Sequence, residues 1–224
     1  MKLKYIFILF GIVSFSAIQK TTLPKGFVDA SEFIPNLKID LRYATAHNFI
    51  GKPIDGYYSQ RCILSKEAAI ALKNVEEDLN ENNLCLQIYD SYRPQKAVNQ
   101  FVKWAKNIND TLMKQEFYPN IAKKNLFKKG YISSKSRHSS GSTIDLTIYS
   151  DYTNDVLDMG SKYDFFGEQS AVDYPNLTRE QKSNRKLLKS IMLKHGFRAY
   201  SKEWWHFTLR YEPYQNMRFN FDIK

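Results

Sequence analysis

An aspartate sits in the middle of the most strand-like segment of this chain. Thr143–Tyr149 reads TIDLTIY, β-branched and alternating, the pattern of an extended strand. Asp is disfavoured in strands, and burying an unpaired carboxylate is expensive. Asp145 therefore either faces water or meets something cationic, and a metal ion is the economical choice. Seven residues earlier, His138 stands in SRHSSGSTID, where Gly141 allows a tight turn. A loop histidine and a strand aspartate at that spacing can converge on one point.

His206, in EWWHF, offers a second imidazole, with the carboxylate of Glu203 three residues before it. Hydrolytic zinc commonly takes three protein ligands and keeps a fourth position for water. His138, Asp145 and His206 would supply two neutral donors and one anion. A metal-bound water loses its proton readily, and Glu203 is the natural acceptor. One geometric condition follows. Residues i and i+3 of a regular strand face opposite sides, so Glu203 must sit at a bend or bulge, which Ser201-Lys202 could provide. Arg93, in DSYRP at a strand-to-helix junction, can aim its guanidinium at a developing oxyanion or a substrate carboxylate. Standing alone it would read as a surface salt bridge. Of the remaining histidines, His195 precedes the helix-ending Gly196 and reads as a cap at the negative end of the helix dipole. His47 lies in a loop with no evident partner.

Around these residues the pattern predicts a helix over Ser65–Asn83, capped by Ser65, with Ala69, Leu72, Val75 and Leu79 at helical spacing. A strand over Leu84–Tyr89 follows. Pro94 then opens a second helix, with Ala97, Val98, Phe101, Val102 and Ala105 on one side. Residues 107–130 read as irregular. Thr178–His195 is the clearest helix, with Thr178 and Gln181 as a capping box and Gly196 as its stop. Trp204–Leu209 is a further strand. Interspersed strands and helices with few clean βαβ units give an α+β class, a mostly antiparallel central sheet with packed helices.

The first residues, MKLKYIFILFGIVSFSA, carry a short positive region, an apolar run and small residues near 16–17. They read as a signal peptide over 1–17, too short in its apolar part for a comfortable span, with an uncleaved anchor as the alternative. A linker over 18–27 and one domain over 28–224 follow, in an exported protein, periplasmic or secreted. Export permits a disulfide between Cys62 and Cys85, the only cysteines, and two buried thiols fit equally well. The net charge of +10 is spread out, without a nucleic-acid motif, and reads as a solvated basic surface. The expected partner is a small molecule, not nucleic acid and not a membrane after signal removal. Oligomeric state is not legible. Aromatic residues, 15% of the chain, read as core and rims, with a stacking groove as the sharper alternative.

Together these pieces resemble the D-alanyl-D-alanine dipeptidases of peptidase family M15, within the wider zinc D,D-peptidase group. The resemblance rests on Asp40–Tyr57 (DLRYATAHNFIGKPIDGY), DSYRP, Ser134–Thr147 (SKSRHSSGSTIDLT), Met159–Phe165 (MGSKYDF) and EWWHF. It implies a D,D-peptidase fold and one Zn²⁺ held by His138, Asp145 and His206. Glu203 would be general base and acid, and Arg93 the stabiliser of the tetrahedral intermediate. Tyr43, Ser136 and Asp164 would contact the dipeptide, with Asp164 suited to its free α-amino group. The implied reaction is hydrolysis of D-Ala-D-Ala. A D,D- or L,D-carboxypeptidase trimming stem peptides, and a non-catalytic wall-binding zinc module, are the alternatives. His47 stands where an acidic residue is often seen, and Ser91 replaces a usual glycine before Tyr92; neither is expected to touch a proposed ligand. An exported dipeptidase cannot destroy D-Ala-D-Ala before wall precursors are made in the cytoplasm, so wall-fragment turnover, nutrient scavenging or remodelling outside the cytoplasm is the expected role.

Overall fold

The aspartate-bearing segment becomes a central strand, with a neighbour on each side. The computed structural model describes residues 22–224. The signal peptide read over 1–17, and residues 18–21 of the linker after it, lie outside the described residues. In chain order the strands are β1 (Phe27–Asp29), β2 (Lys38–Ile39), β3 (Ile63–Ser65), β4 (Leu84–Asp90), β5 (Thr143–Ser150), β6 (Asp155–Val156), β7 (Phe197–Tyr200) and β8 (Glu203–Leu209). The α-helices are α1 (Lys66–Asn80), α2 (Gln95–Lys106), α3 (Lys114–Phe117), α4 (Leu126–Lys129) and α5 (Arg179–Lys194).

The main sheet runs β2-β4-β5-β8-β7, with β6 paired to β5. Its pairings are antiparallel except β2 on β4, which is parallel. β1 and β3 form a separate antiparallel pair. β1 begins at Phe27, the last residue assigned above to the linker, and Phe27 packs on the Tyr92 and Phe219 rings. Ordered packing therefore starts before residue 28. Among the described residues no helix is long and apolar enough to cross a membrane.

α1 starts where Ser65 Oγ accepts the Ala68 N–H, and α5 opens on the Thr178–Gln181 capping box, both as read from the sequence. Leu72 and Val75 of α1 meet Leu188 and Met192 of α5 over Ile144, Leu146 and Ile148 of β5. Those β5 residues alternate with Asp145, so the aspartate emerges on the opposite side of the sheet. From the sequence, Asp145 faces either water or a cation. In the structure Thr143–Ile148 is buried throughout, because a second core covers the other face. That core is largely aromatic and includes Phe101 and Trp104 of α2 with Tyr43, Phe49 and Phe166. Val102, expected on the buried side of α2, is half-buried, and Trp104 takes its place. The stretch 107–130 contains α3 and α4, single turns too short to leave a periodic signal. Cys62 and Cys85 are buried free thiols.

Glu76 of α1 is an acidic residue inside the first core, 1% exposed. One oxygen accepts the Leu86 N–H at 2.7 Å and the other has no partner among the described residues. Burial pushes its pKa up to about 7, against the opposing Leu86 hydrogen bond. Between the unfolded value and 7 the folded chain holds more protons than the unfolded one, so stability falls as pH rises through that window. Glu76→Gln removes the charge. The variant is expected to gain on wild type between pH 5 and pH 8 by about 1–3 kcal/mol. Denaturant midpoints at both pH values check this, and a gap independent of pH would contradict it.

Candidate active site

Strand register assembles the centre. Asp90 at the end of β4 lies opposite Asp145 of β5, and Asp145 lies opposite His206 of β8. Directly opposed residues share a face, so three polar side chains stand in one cross-strand row. A register shift between Ile88 and Asp90 helps bring Asp90 into that row.

His138 arrives from a short helical turn, Arg137–Ser140. Ser136 caps it, accepting the His138 N–H, and Gly141 ends it at φ 83°. A side chain at Gly141 would also strike the Phe27 ring, with its Cβ 2.3 Å from a ring carbon. Nδ1 of His138 lies 2.7 Å from the Ser91 carbonyl. A carbonyl only accepts, so Nδ1 carries the proton and Nε2 keeps a free lone pair. That lone pair lies 3.3 Å from Asp145 Oδ1, and His206 Nδ1 lies 3.0 Å from the same oxygen. Asp145 is 2% exposed, and among the described residues this oxygen has no directed hydrogen-bond donor. One ligand atom from each of the three residues lies within 4.8 Å of the others. Two imidazole lone pairs and an orphaned carboxylate oxygen facing one another are the donor set of a divalent cation, and the set fits zinc. Burial opposes ionisation of Asp145, but His138 and His206 hold its carboxyl well below the usual range.

The bend required at Glu203 is present. Ala199 of β7 pairs with Phe207, yet the next residue, Tyr200, pairs with Glu203. Trp204–His206 therefore bulge relative to β7, and Glu203 comes round to the side of His206, with Oε2 3.5 Å from Nδ1. Burial pushes Glu203 up to about 7 when only protein charges surround it. Arg93 follows β4 and is held by Asp90, whose Oδ2 accepts its Nε–H at 2.8 Å. Asp90 Oδ1 accepts the Tyr57 hydroxyl at 2.7 Å. Arg93 stacks over Tyr43 at 5.0 Å and reaches Asp145 Oδ2 at 3.5 Å, so it belongs to the centre and is not a surface pair.

These groups open into a cavity of about 290 Å³, lined also by Tyr43, Ser136, Asp164 and the rings of Phe49, Phe101 and Phe166. The aromatic residues thus serve as core and pocket wall together. Asp164 is a buried, positive-φ residue (φ 59°), and it accepts the Tyr43 hydroxyl at 2.8 Å. Burial, then the charge of Asp145, push its pKa well above the usual carboxylate range.

All eight residues singled out from the sequence line this one cavity. Three others in or behind the centre were given no role. Asp90 carried the same signal as Asp145, an acid closing an apolar strand. Tyr163, whose hydroxyl reaches Asp145 Oδ2 at 3.2 Å, and Tyr57 gave none. Two expectations are corrected. His47 does have partners, Arg42 at 2.7 Å and Glu116 at 3.0 Å. Ser91 does touch a ligand, through its carbonyl, which a glycine would supply equally well. His195 ends α5 as expected, and Nε2 also reaches Asp78 at 2.7 Å.

An α+β sheet carrying a His–Asp–His set, with a carboxylate and an arginine over one cavity, defines a single-metal hydrolase. A family model described as peptidase M15, D-Ala-D-Ala dipeptidase, matches residues 24–224. A D-alanyl-D-alanine dipeptidase from Enterococcus faecium is 42% identical over 199 residues, 89% of this chain and 98% of the relative. Those of Enterococcus faecalis (40% over 201 residues; 90% and 100%) and Streptomyces coelicolor (39% over 198 residues; 88% and 97%) are similar. The chain belongs to the M15 D-Ala-D-Ala dipeptidase family.

Proposed function

We propose that this protein is a zinc-dependent dipeptidase that cleaves free D-Ala-D-Ala outside the cytoplasm, in the turnover of wall fragments. One observation carries the reading. The ligand set, Glu203 and Arg93 share a small cavity with Asp164, a buried carboxyl with no cation paired to it among the described residues. A dipeptide's ammonium group is the missing partner. It restores the ionised form of Asp164, with the Tyr43 hydroxyl fixing the carboxylate. A cavity of about 290 Å³ is at the small end of the usual range for ligand sites, roughly 300–1,000 Å³, which suits a dipeptide better than a stem peptide.

Zinc, when bound, supplies a Lewis acid and a water of lowered pKa. Glu203 takes the proton of the attacking water and passes it to the departing amine nitrogen. Arg93, kept charged by Asp90, donates to the scissile carbonyl oxygen as negative charge builds there. Ser136, on the cavity wall beside His138, contacts the peptide. The location outside the cytoplasm is supported by the signal-like pattern of residues 1–17, and recovery of the protein only in the cytoplasmic fraction would reverse it.

The test is a hydrolysis panel with metal analysis of the same sample. Free D-Ala-D-Ala is expected to be cleaved faster than a pentapeptide stem by on the order of 10²-fold or more. Equal rates would favour the carboxypeptidase reading, and zinc binding without hydrolysis a wall-binding module. Asp164→Asn is expected to raise KM for the dipeptide by about tenfold or more, the loss of one charge-assisted hydrogen bond.

A further inference from the structure

The loop that presents Asp164 is held from behind by a buried arginine that the proposed reaction does not use. Gln181 and Asn184 of α5 donate to Asp158, at 2.8 Å to its side chain and 2.9 Å to its carbonyl. Arg185, one position on, is 4% exposed. Its Nε donates to the Met159 carbonyl at 2.6 Å, Nη2 to Gln169 at 2.7 Å and Nη1 to Ala171 at 2.5 Å. Among the described residues no carboxylate is paired with it. Burial lowers its pKa to about 10, which still leaves it charged at neutral pH.

The three carbonyls belong to the two arms of one loop. Met159 is on the outgoing arm, and Gln169 and Ala171 are on the returning one. Between them Tyr163 touches Asp145, and Asp164 meets Tyr43. The guanidinium also lies 5.9 Å from the Trp204 ring, whose indole N–H donates to Ser161 Oγ at 2.9 Å. Trp204 is the chain neighbour of Glu203. A buried cation spent wholly on backbone carbonyls is a costly way to close a loop, and a planar fork with fixed donor directions is what three separate carbonyls need.

We propose that Arg185 is a positioning residue for substrate specificity: by clamping both arms of segment 159–171 it sets where Asp164 meets the substrate's ammonium group. The inference rests on the reading of Asp164 given above. Lysine retains the charge but offers one nitrogen in place of a fork. Arg185→Lys is therefore expected to raise KM for D-Ala-D-Ala about tenfold, with kcat within about threefold and zinc content unchanged. In an Asp164→Asn background the same change should add less than about twofold, because the group it positions is gone. Deuterium uptake over 159–171 should rise relative to α1 in folded Arg185→Lys protein, whatever the substrate.

Unchanged uptake over 159–171 would overturn the clamp. An undiminished KM penalty in the Asp164→Asn background would overturn its action through Asp164. If wild type leaves D-Ala-D-Ala uncleaved, the proposed function fails, and uptake still decides whether Arg185 holds the loop. Should Arg185→Lys not fold, Asn184→Ala removes the neighbouring tie from a half-buried position. It is expected to move uptake in the same segment, and no movement there would count against the clamp.

Discussion

Glu203→Gln is expected to lower kcat on D-Ala-D-Ala by roughly 10²–10⁴-fold while the protein keeps its zinc. The split between the two readouts follows from position. Glu203 opens β8 beside the bulge, near His206 but outside the set of three ligands whose donor atoms converge. Glutamine keeps the size and one acceptor oxygen, and removes only the ability to take and return a proton. Burial raises the acid of Glu203 to about 7 among the protein charges alone, the direction that favours a group that must both take and give a proton. Glu203→Asp keeps the chemistry and draws the carboxylate back by one methylene. It should retain more activity than Glu203→Gln, since misplacement costs less than loss of the base. Zinc stoichiometry, thermal midpoint and kcat measured on the same preparations decide the matter. Loss of zinc in Glu203→Gln would make it a ligand, and retained turnover would remove it from the reaction.

What could be read from the chain was local chemistry; what could not was register. The Ser65 and Thr178–Gln181 caps announce their helices because capping is completed within four residues. Asp145 raised the question of a cation because a carboxylate in an apolar strand must either face water or be compensated. The need for a bend at Glu203 came from strand geometry, and the bulge between Ala199 and Tyr200 meets it. By contrast, the alignment of Asp90, Asp145 and His206 depends on the pairing of β4, β5 and β8, which no local pattern encodes. The burial of both faces of β5 depends on a distant aromatic core. Arg185 was invisible for a further reason. Its partners are backbone carbonyls, which every residue type carries, so no side-chain pattern in the loop points to Arg185. Of the two partners of His47, Glu116 lies 69 residues away, and no local pattern points to it.

Asp145→Ala should abolish detectable turnover and weaken zinc binding by more than the roughly 10–100-fold typical of an outer-sphere change. Two effects add. The site loses its only anionic ligand, leaving two imidazoles, and it loses the charge that balances Arg93. The guanidinium, 3.5 Å from Asp145 Oδ2, would then face an incoming dication with only Asp90 to offset it. Asp90→Asn is the informative comparison. Asp90 stands in the same cross-strand row, but it holds Arg93 and Tyr57 and gives no atom to the ligand set. It should lower kcat through a misplaced Arg93 while zinc stays bound. Isothermal titration of zinc into metal-stripped protein, run beside kinetics on both variants, separates the roles. Wild-type zinc affinity in Asp145→Ala would mean that the metal sits elsewhere. Loss of zinc in Asp90→Asn to the same degree would mean that the row acts as one electrostatic unit, with Asp145 no more a ligand than its neighbour.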